Sequence, residues 1–177
     1  EYSITTKSLS RLNGKTFCWG GEYKDDFSSR ETLYVDPGVS ESYLPKLSEN
    51  STNCSILLLG NTAPHLQTEL LNQMKQDPFV LLDTFKLYID IANKELKHLI
   101  KRADLFCINF NEARAISGME GSNLEKMATS ILDFGPKSII IKDGKKGSYF
   151  FDRKRHFAIK AFPVEDVVDT TGAGDAF

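Results

Sequence analysis

The sequence is poor in the residues that make a scaffold or a metal centre by themselves. Three cysteines, Cys18, Cys54 and Cys107, stand among 177 residues. The number is odd and no pair has CxxC spacing, so neither a disulfide framework nor a zinc site is indicated. Three free thiols suit a reducing cytoplasm, the expected location. Histidine is equally sparse: His65, His98 and His156 are scattered and suggest no catalytic pairing. Charge of one sign is not in excess, with 22 Lys+Arg against 24 Asp+Glu and a net charge of −2. A chain so balanced has no global pull toward nucleic acid or an anionic membrane. Long apolar runs are missing too. The longest, Ser55-Ile-Leu-Leu-Leu-Gly60, is strand-sized, far short of the ~18 residues of a membrane span. Repeats and low-complexity linkers are absent. With 41% hydrophobic and 26% charged residues, the composition excludes a disordered tail, a collagen-like chain and a disulfide miniprotein.

What is present is alternation. Lys15–Tyr23 and Arg30–Val35 mix aromatic and β-branched residues around the polar stretch Lys24–Ser29, which predicts a hairpin stopped by Asp36-Pro-Gly38. Beyond it, apolar strands are expected at Ile56–Leu59, Phe79–Asp83, Leu105–Ile108 and Ser138–Lys142. Further strands follow at Ser148–Phe151 and His156–Phe162. Between them, apolar residues recur at helical spacing over Pro64–Lys75, Ile89–Arg102, Glu112–Ser117 and Asn123–Phe134. Such alternation indicates βαβ units and a parallel sheet covered on both faces. Ligands in such folds bind beyond the carboxyl ends of the strands. The loops to search start at Gly60, Asp83, Asn109, Lys142 and Asp169.

The last of these loops, Val167-Val-Asp-Thr-Thr-Gly-Ala-Gly-Asp-Ala-Phe177, carries the most chemistry. A β-like run ends at Val168. Gly172, Ala173 and Gly174 free the backbone N–H groups to point at an anion, and a helix start adds partial positive charge. An acid at Asp175 would repel a phosphate that was merely bound. It makes sense where a carboxylate must take a proton from a hydroxyl attacking that phosphate. The bland alternative is a Gly-rich turn with Asp175 in the first turn of a helix. A dinucleotide fingerprint fits poorly, because Phe177 stands where a third small residue is needed. Asp133-Phe-Gly135 and Phe157-Ala-Ile-Lys160 mimic protein-kinase motifs but occur in the wrong order. Asp133-Phe134-Gly135 reads instead as a helix end.

Asp169-Thr-Thr-Gly-Ala-Gly-Asp175 resembles the second signature of the ribokinase-like (PfkB) carbohydrate kinases. Upstream, Asn109-Phe-Asn-Glu112 resembles that family's NxxE motif. Lys142-Asp-Gly-Lys-Lys-Gly147 resembles its ATP-contacting glycine turn, and Gly14–Trp19 with the following hairpin resembles its β-lid. The resemblance implies a three-layer α/β sandwich with a mostly parallel central sheet flanked by helices. Residues 1–38 would be part of the lid and 39–177 part of the kinase core. It implies transfer of the γ-phosphate of ATP, with Mg2+, to a hydroxyl of a small sugar. A nucleoside kinase of the same fold is the near alternative, and a noncatalytic nucleotide-binding or dimerisation module the distant one.

By the same resemblance Asp175 is the general base, and Gly172, Ala173 and Gly174 form the anion hole. Asn109, Lys142, Gly144 and Gly147 line the ATP, and Glu112 holds Mg2+ through water. Asp169 and Thr171 match positions that hold a monovalent cation such as K+ in several members. Phe17 and Trp19 would close over the substrate, since aromatics stack on sugar rings; alternating lid residues could instead pack a dimer partner, giving a homodimer through the lid. Plain structural roles stand beside these: Asn109 as a helix cap with Glu112 three residues on, and Lys142–Gly147 as a hairpin turn. Asp83 could hold a phosphate-side water or cap a helix. The family's Gly-Gly sugar motif and its adenine loops find no match. The chain is therefore expected to be the middle of a larger domain, cut before the lid and inside the catalytic helix, and inert and poorly stable alone.

Overall fold

The computed structural model describes residues 6–23, 30–41, 43–165, 167–174 and 176–177. Glu1–Ser10 with Leu44–Ala161 forms one compact unit, and Arg11–Tyr43 with Phe162–Phe177 forms a second.

The second unit contains the expected hairpin, β1 (Cys18–Tyr23) and β2 (Arg30–Asp36), paired antiparallel with a bulge between Gly20 and Gly21. The connecting turn, 24–29, lies outside the described residues. Both glycines have a packing reason. A Cβ on Gly20 would collide with the Tyr34 ring, and one on Gly21 with the Trp19 ring. Two aromatic rings thus lie across bare backbone, compensating for the side chains that glycine lacks. Trp19 Nε1 donates to Thr32 Oγ1 at 3.2 Å, fixing the indole across the pair of strands.

The larger unit alternates strand and helix as the apolar spacing dictates. In chain order come β3 (Ile56–Leu59), α1 (Pro64–Asn72), β4 (Phe79–Asp83), α2 (Lys86–Ile91), α3 (Asn93–Ile100) and β5 (Leu105–Asn109). Then follow α4 (Phe110–Ser117), α5 (Leu124–Leu132), β6 (Ser138–Lys142), β7 (Ser148–Asp152) and β8 (His156–Ile159). The six strands form a mixed sheet in the order β3-β4-β5-β6-β7-β8, parallel from β3 to β6 and antiparallel beyond. Spatial order is therefore chain order.

The expected helix over Ile89–Arg102 is in fact two, α2 and α3, broken at Ala92 (φ −130°). The side-chain amide of Asn93 donates to the Ile89 carbonyl at 3.1 Å. In an unbroken helix the Asn93 backbone N–H would take that acceptor, so the side chain competes with the helix it starts. No strand forms at Val167-Val168, where both side chains are exposed. No helix among the described residues is long and apolar enough to cross a membrane.

Register puts Leu57, Leu59, Val80, Leu82, Phe106, Ile108, Ile139 and Ile141 on one face. These residues join the inward side chains of all five helices in one core, including Leu71, Ile89, Leu96, Ile116 and Ile131. The opposite face carries Ile56, Leu58, Phe79, Phe157 and Ile159, all exposed; Ile56 keeps 65% of its surface. Phe150 and Phe157 stack on that face at 4.8 Å. Of the sandwich, the described helices fill the layer on one side of the sheet.

At the amino-terminal edge, Asp104 ties three strands together. Its Oδ2 accepts from Val80 N at 2.8 Å, its backbone carbonyl accepts from Ser138 Oγ at 2.7 Å, and Lys137 pairs with its Oδ1. Burial pushes the Asp104 carboxyl up, but the Lys137 ammonium and the Val80 N–H outweigh it and hold it below the usual value. A depressed carboxylate contributes stability above its unfolded pKa of about 3.9, lost as pH falls through the lower folded value. Asp104→Asn is expected to cost about 1–2 kcal/mol near pH 7. In urea titrations of both proteins the gap should narrow as pH falls below the unfolded ~3.9 and through the lower folded value.

Candidate active site at the carboxyl edge of the sheet

Parallel strands end on a common edge, so β3, β4, β5 and β6 deliver Leu59, Asp83, Asn109 and Lys142 to it. Asn109 and Lys142 are register partners, and Lys142 is in turn opposite Ser148. The sequence thereby brings three of its candidates, Asn109, Glu112 and Lys142, to neighbouring strand ends.

Asn109 and Glu112 form a reciprocal cap. Glu112 N donates to Asn109 Oδ1 at 3.0 Å, and Asn109 N donates to Glu112 Oε2 at 2.9 Å. The capping role read from the spacing is thus present. It holds Glu112 almost fully buried, 6% exposed, at the start of α4. A carboxylate at a helix start also meets the positive end of the dipole. Cys107, one turn of the pleat back, reports the local field. Burial pushes its thiol up; the Lys142 charge pulls it down, while Asp83 and Glu112 push it up. Two acids and one base therefore act on a single point of the edge.

Magnesium takes oxygen ligands and keeps several waters. Among the described residues no group of three His, Cys, Asp or Glu could hold a metal directly. The acidic set of Asp83 and Glu112 fits a hydrated ion that also takes ligands from a substrate, and does not fit a closed protein cage.

Beyond Lys142 the chain turns tightly. Lys146 N donates to the Asp143 carbonyl, Gly147 N to the Gly144 carbonyl, and Asp143 N to the Gly147 carbonyl at 2.8 Å. Gly144 and Gly147 both adopt positive φ, 52° and 100°. They differ in surroundings. Open space lies where a Gly144 Cβ would stand, whereas a Gly147 Cβ would overlap the Ile159 carbonyl oxygen. Gly147 is needed for the hairpin. Lys145 is exposed; Lys146 pairs with Asp143 at 3.1 Å and lies over the Phe110 ring.

One residue of this edge escaped the sequence reading. Gln67, 1% exposed, points its Nε2 at the carbonyls of Leu59, Gly60 and Asp83, at 3.4, 2.6 and 3.4 Å. A signal existed: Gln67 stands four residues before Leu71 and seven before Met74, on the apolar stripe of α1.

In the second unit, Thr171 N donates to Asp169 Oδ1 at 2.8 Å, an Asx-type turn. The Thr171 N–H and hydroxyl hold the Asp169 carboxyl below its usual value. Gly172 has φ 76°, Ala176 N donates to the Gly172 carbonyl, and Ala173 N donates to the Thr170 carbonyl at 3.2 Å. The described residues Thr171–Gly174 are turns, and the Ala176-to-Gly172 bond has the i→i−4 spacing of a helical turn. Asp175 lies outside the described residues. Phe17 is partly exposed, and Trp19 lies against Gly21 as above.

A mixed α/β sheet with a glycine turn and a buried glutamate at its carboxyl edge has the fold of a ribokinase-like protein. The profile described as pfkB family carbohydrate kinase matches residues 29–177, and the chain belongs to that family. A cytidine kinase of Thermococcus kodakarensis is 27% identical over 170 residues, covering 94% of this chain and 60% of that kinase. Solved structures agree in fold. Ribokinase from Thermotoga maritima matches with TM-score 0.71 and 24% identity over 94% of this chain and 55% of its own. Arabidopsis thaliana ribokinase, complexed with ribose and ATP, matches with TM-score 0.70 and 22% identity over 92% and 54%. The chain thus spans little more than half the length of these relatives.

Gly147→Ala is expected to cost about 1–3 kcal/mol from backbone overlap and positive φ. Gly144→Ala, strained only by its φ, should cost about 1 kcal/mol. Thermal melts should show Gly147→Ala losing several degrees more than Gly144→Ala; equal losses would remove the packing role given to Gly147.

Proposed function

We propose that the protein carrying this chain transfers the γ-phosphoryl group of ATP to a hydroxyl of a sugar or a nucleoside. The observation that carries the reading is the Asp169–Asp175 signature in a family member whose other motif residues, Asn109, Glu112 and Lys142, share one strand edge. In this reading Asp175 takes the proton of the attacking hydroxyl. The N–H groups of Gly172, Ala173 and Gly174 stabilise charge on the moving phosphoryl group. Ala173 must first release the Thr170 carbonyl.

Lys142 and the Gly144–Gly147 turn would contact the nucleotide. Glu112, with Asn109 fixing its carboxylate, would hold water of a magnesium ion that neutralises the phosphates. Asp169 and Thr171 would hold a monovalent cation, K+, and Phe17 and Trp19 would cover the acceptor. A homodimer through the lid belongs to the same reading, supported by the exposed Leu33 and Tyr34 of β2. The cytidine kinase relative, aligned over nearly all of this chain, favours a nucleoside as the second acceptor to test.

ATP consumption by the intact protein should be followed with ribose, fructose and cytidine. Asp175→Asn should lower turnover at least ~100-fold. Glu112→Gln keeps an acceptor for Asn109 N–H, so its melting temperature should hold, while half-saturating Mg2+ rises about tenfold. Nucleotide binding with no transfer to any acceptor would favour a noncatalytic module instead. An Asp175→Asn protein with most of its rate would remove the base assignment.

A further inference from the structure

Gln67 is the feature that the reading above leaves unused. Its side chain is sealed from solvent, yet it does not satisfy itself fully: Oε1 has no hydrogen-bond partner among the described residues. An unpaired buried acceptor is costly, and an apolar side chain of similar size would avoid that cost. The donor half of the amide explains its presence. Nε2 reaches the last carbonyl of β3, the first carbonyl beyond it and the last carbonyl of β4. Those three oxygens lie where the Gly60–Ala63 and Asp83–Thr84 segments leave the sheet. At the ends of the strands the ladder has no further bonds to offer, so these carbonyls need a partner from elsewhere, and the Gln67 amide supplies one to both strands.

We propose that Gln67 is a positioning residue that locks the loops after β3 and β4 to each other, and so sets the acceptor side of the phosphotransfer site. This rests on the kinase reading above. The glycine turn given to the nucleotide follows β6, and the sheet order places β3 and β4 on the far side of β5 from it. The loop after β3 is therefore the one farthest from the nucleotide turn and faces the substrate other than ATP, while Asp83, at the end of β4, stands between it and Glu112. Asp83 enters through its backbone: the carbonyl held by Gln67 belongs to the residue whose carboxylate acts on Cys107 and accepts from Thr84 N at 2.8 Å.

The test uses Gln67→Met, similar in length and without a donor, in the intact protein. Amide hydrogen exchange is expected to quicken about tenfold at residues 60–63 and at Thr84, as loss of one or two hydrogen bonds implies. Exchange in α3 and β6 should keep its wild-type rate. In the kinase assay kcat/KM for the acceptor should fall about tenfold, with KM for ATP within about twofold of wild type. Gln67→Asn keeps the amide but shortens its reach, and should show the same local pattern if the Met variant does not fold. Unchanged exchange at residues 60–63 in either variant overturns the proposal. So does exchange that rises throughout the sheet, or a KM for ATP that moves with the acceptor. If the wild-type protein transfers no phosphate at all, the kinase reading fails, while the exchange pattern still decides whether Gln67 holds the two loops.

Discussion

The handedness of the strand–helix–strand crossover governs the rest of this structure. Parallel crossovers are right-handed in nearly all proteins, because a right-twisted strand packs its helix back onto the sheet only that way. Here every parallel step, β3 to β4 to β5 to β6, runs in the same direction across the sheet. Steps in one direction with one hand must put every crossover helix on the same face. That accounts for the single core and for the apolar side chains left exposed opposite it. It also fixes where chemistry can occur: all four parallel strands end on one edge, and their loops share it.

At that edge the backbone groups are satisfied by side chains. The Asn109–Glu112 pair closes the start of α4, and the Gln67 amide gathers the carbonyls at the ends of β3 and β4. Both devices place polar groups in buried positions; the cap is reciprocal, whereas Gln67 leaves its Oε1 unpaired among the described residues. The opposite edge is managed differently. Asp104 and Lys137 form a charged staple across β4, β5 and β6, in which the carboxylate is taken up by the Val80 N–H and the Lys137 ammonium. The two ends of the same strands thus differ: an ion pair crosses one, and capping hydrogen bonds close the other.

The sequence made the fold legible because apolar runs and helical spacing alternate cleanly, and Leu105–Asn109 and Ser138–Lys142 form where those patterns lie. The break at Ala92 was hidden, because apolar periodicity continues through it and only the Asn93 amide, acting on Ile89, interrupts the backbone. The bare face was hidden for a different reason: hydrophobic residues at Ile56, Leu58 and Phe79 look the same whether or not a helix covers them. Asn109 and Glu112 were legible, since their spacing alone permits the cap. Gln67 was legible only as a polar residue on the apolar stripe of α1; its partners, backbone carbonyls from two strands, leave no mark in the spacing.

Strand order that equals chain order also bears on how the sheet is made. Among the described strands from β4 to β8, each pairs with the one completed just before it, so closure spans only the segment between them. Along β3 to β8 the sheet can grow by accretion as the chain leaves the ribosome, each new strand adding beside the last. The capping box, closed over three residues, can form as soon as α4 is synthesised, before β6 arrives to complete the register of Asn109 with Lys142. The contact edge would then be laid down in the order in which it is encoded.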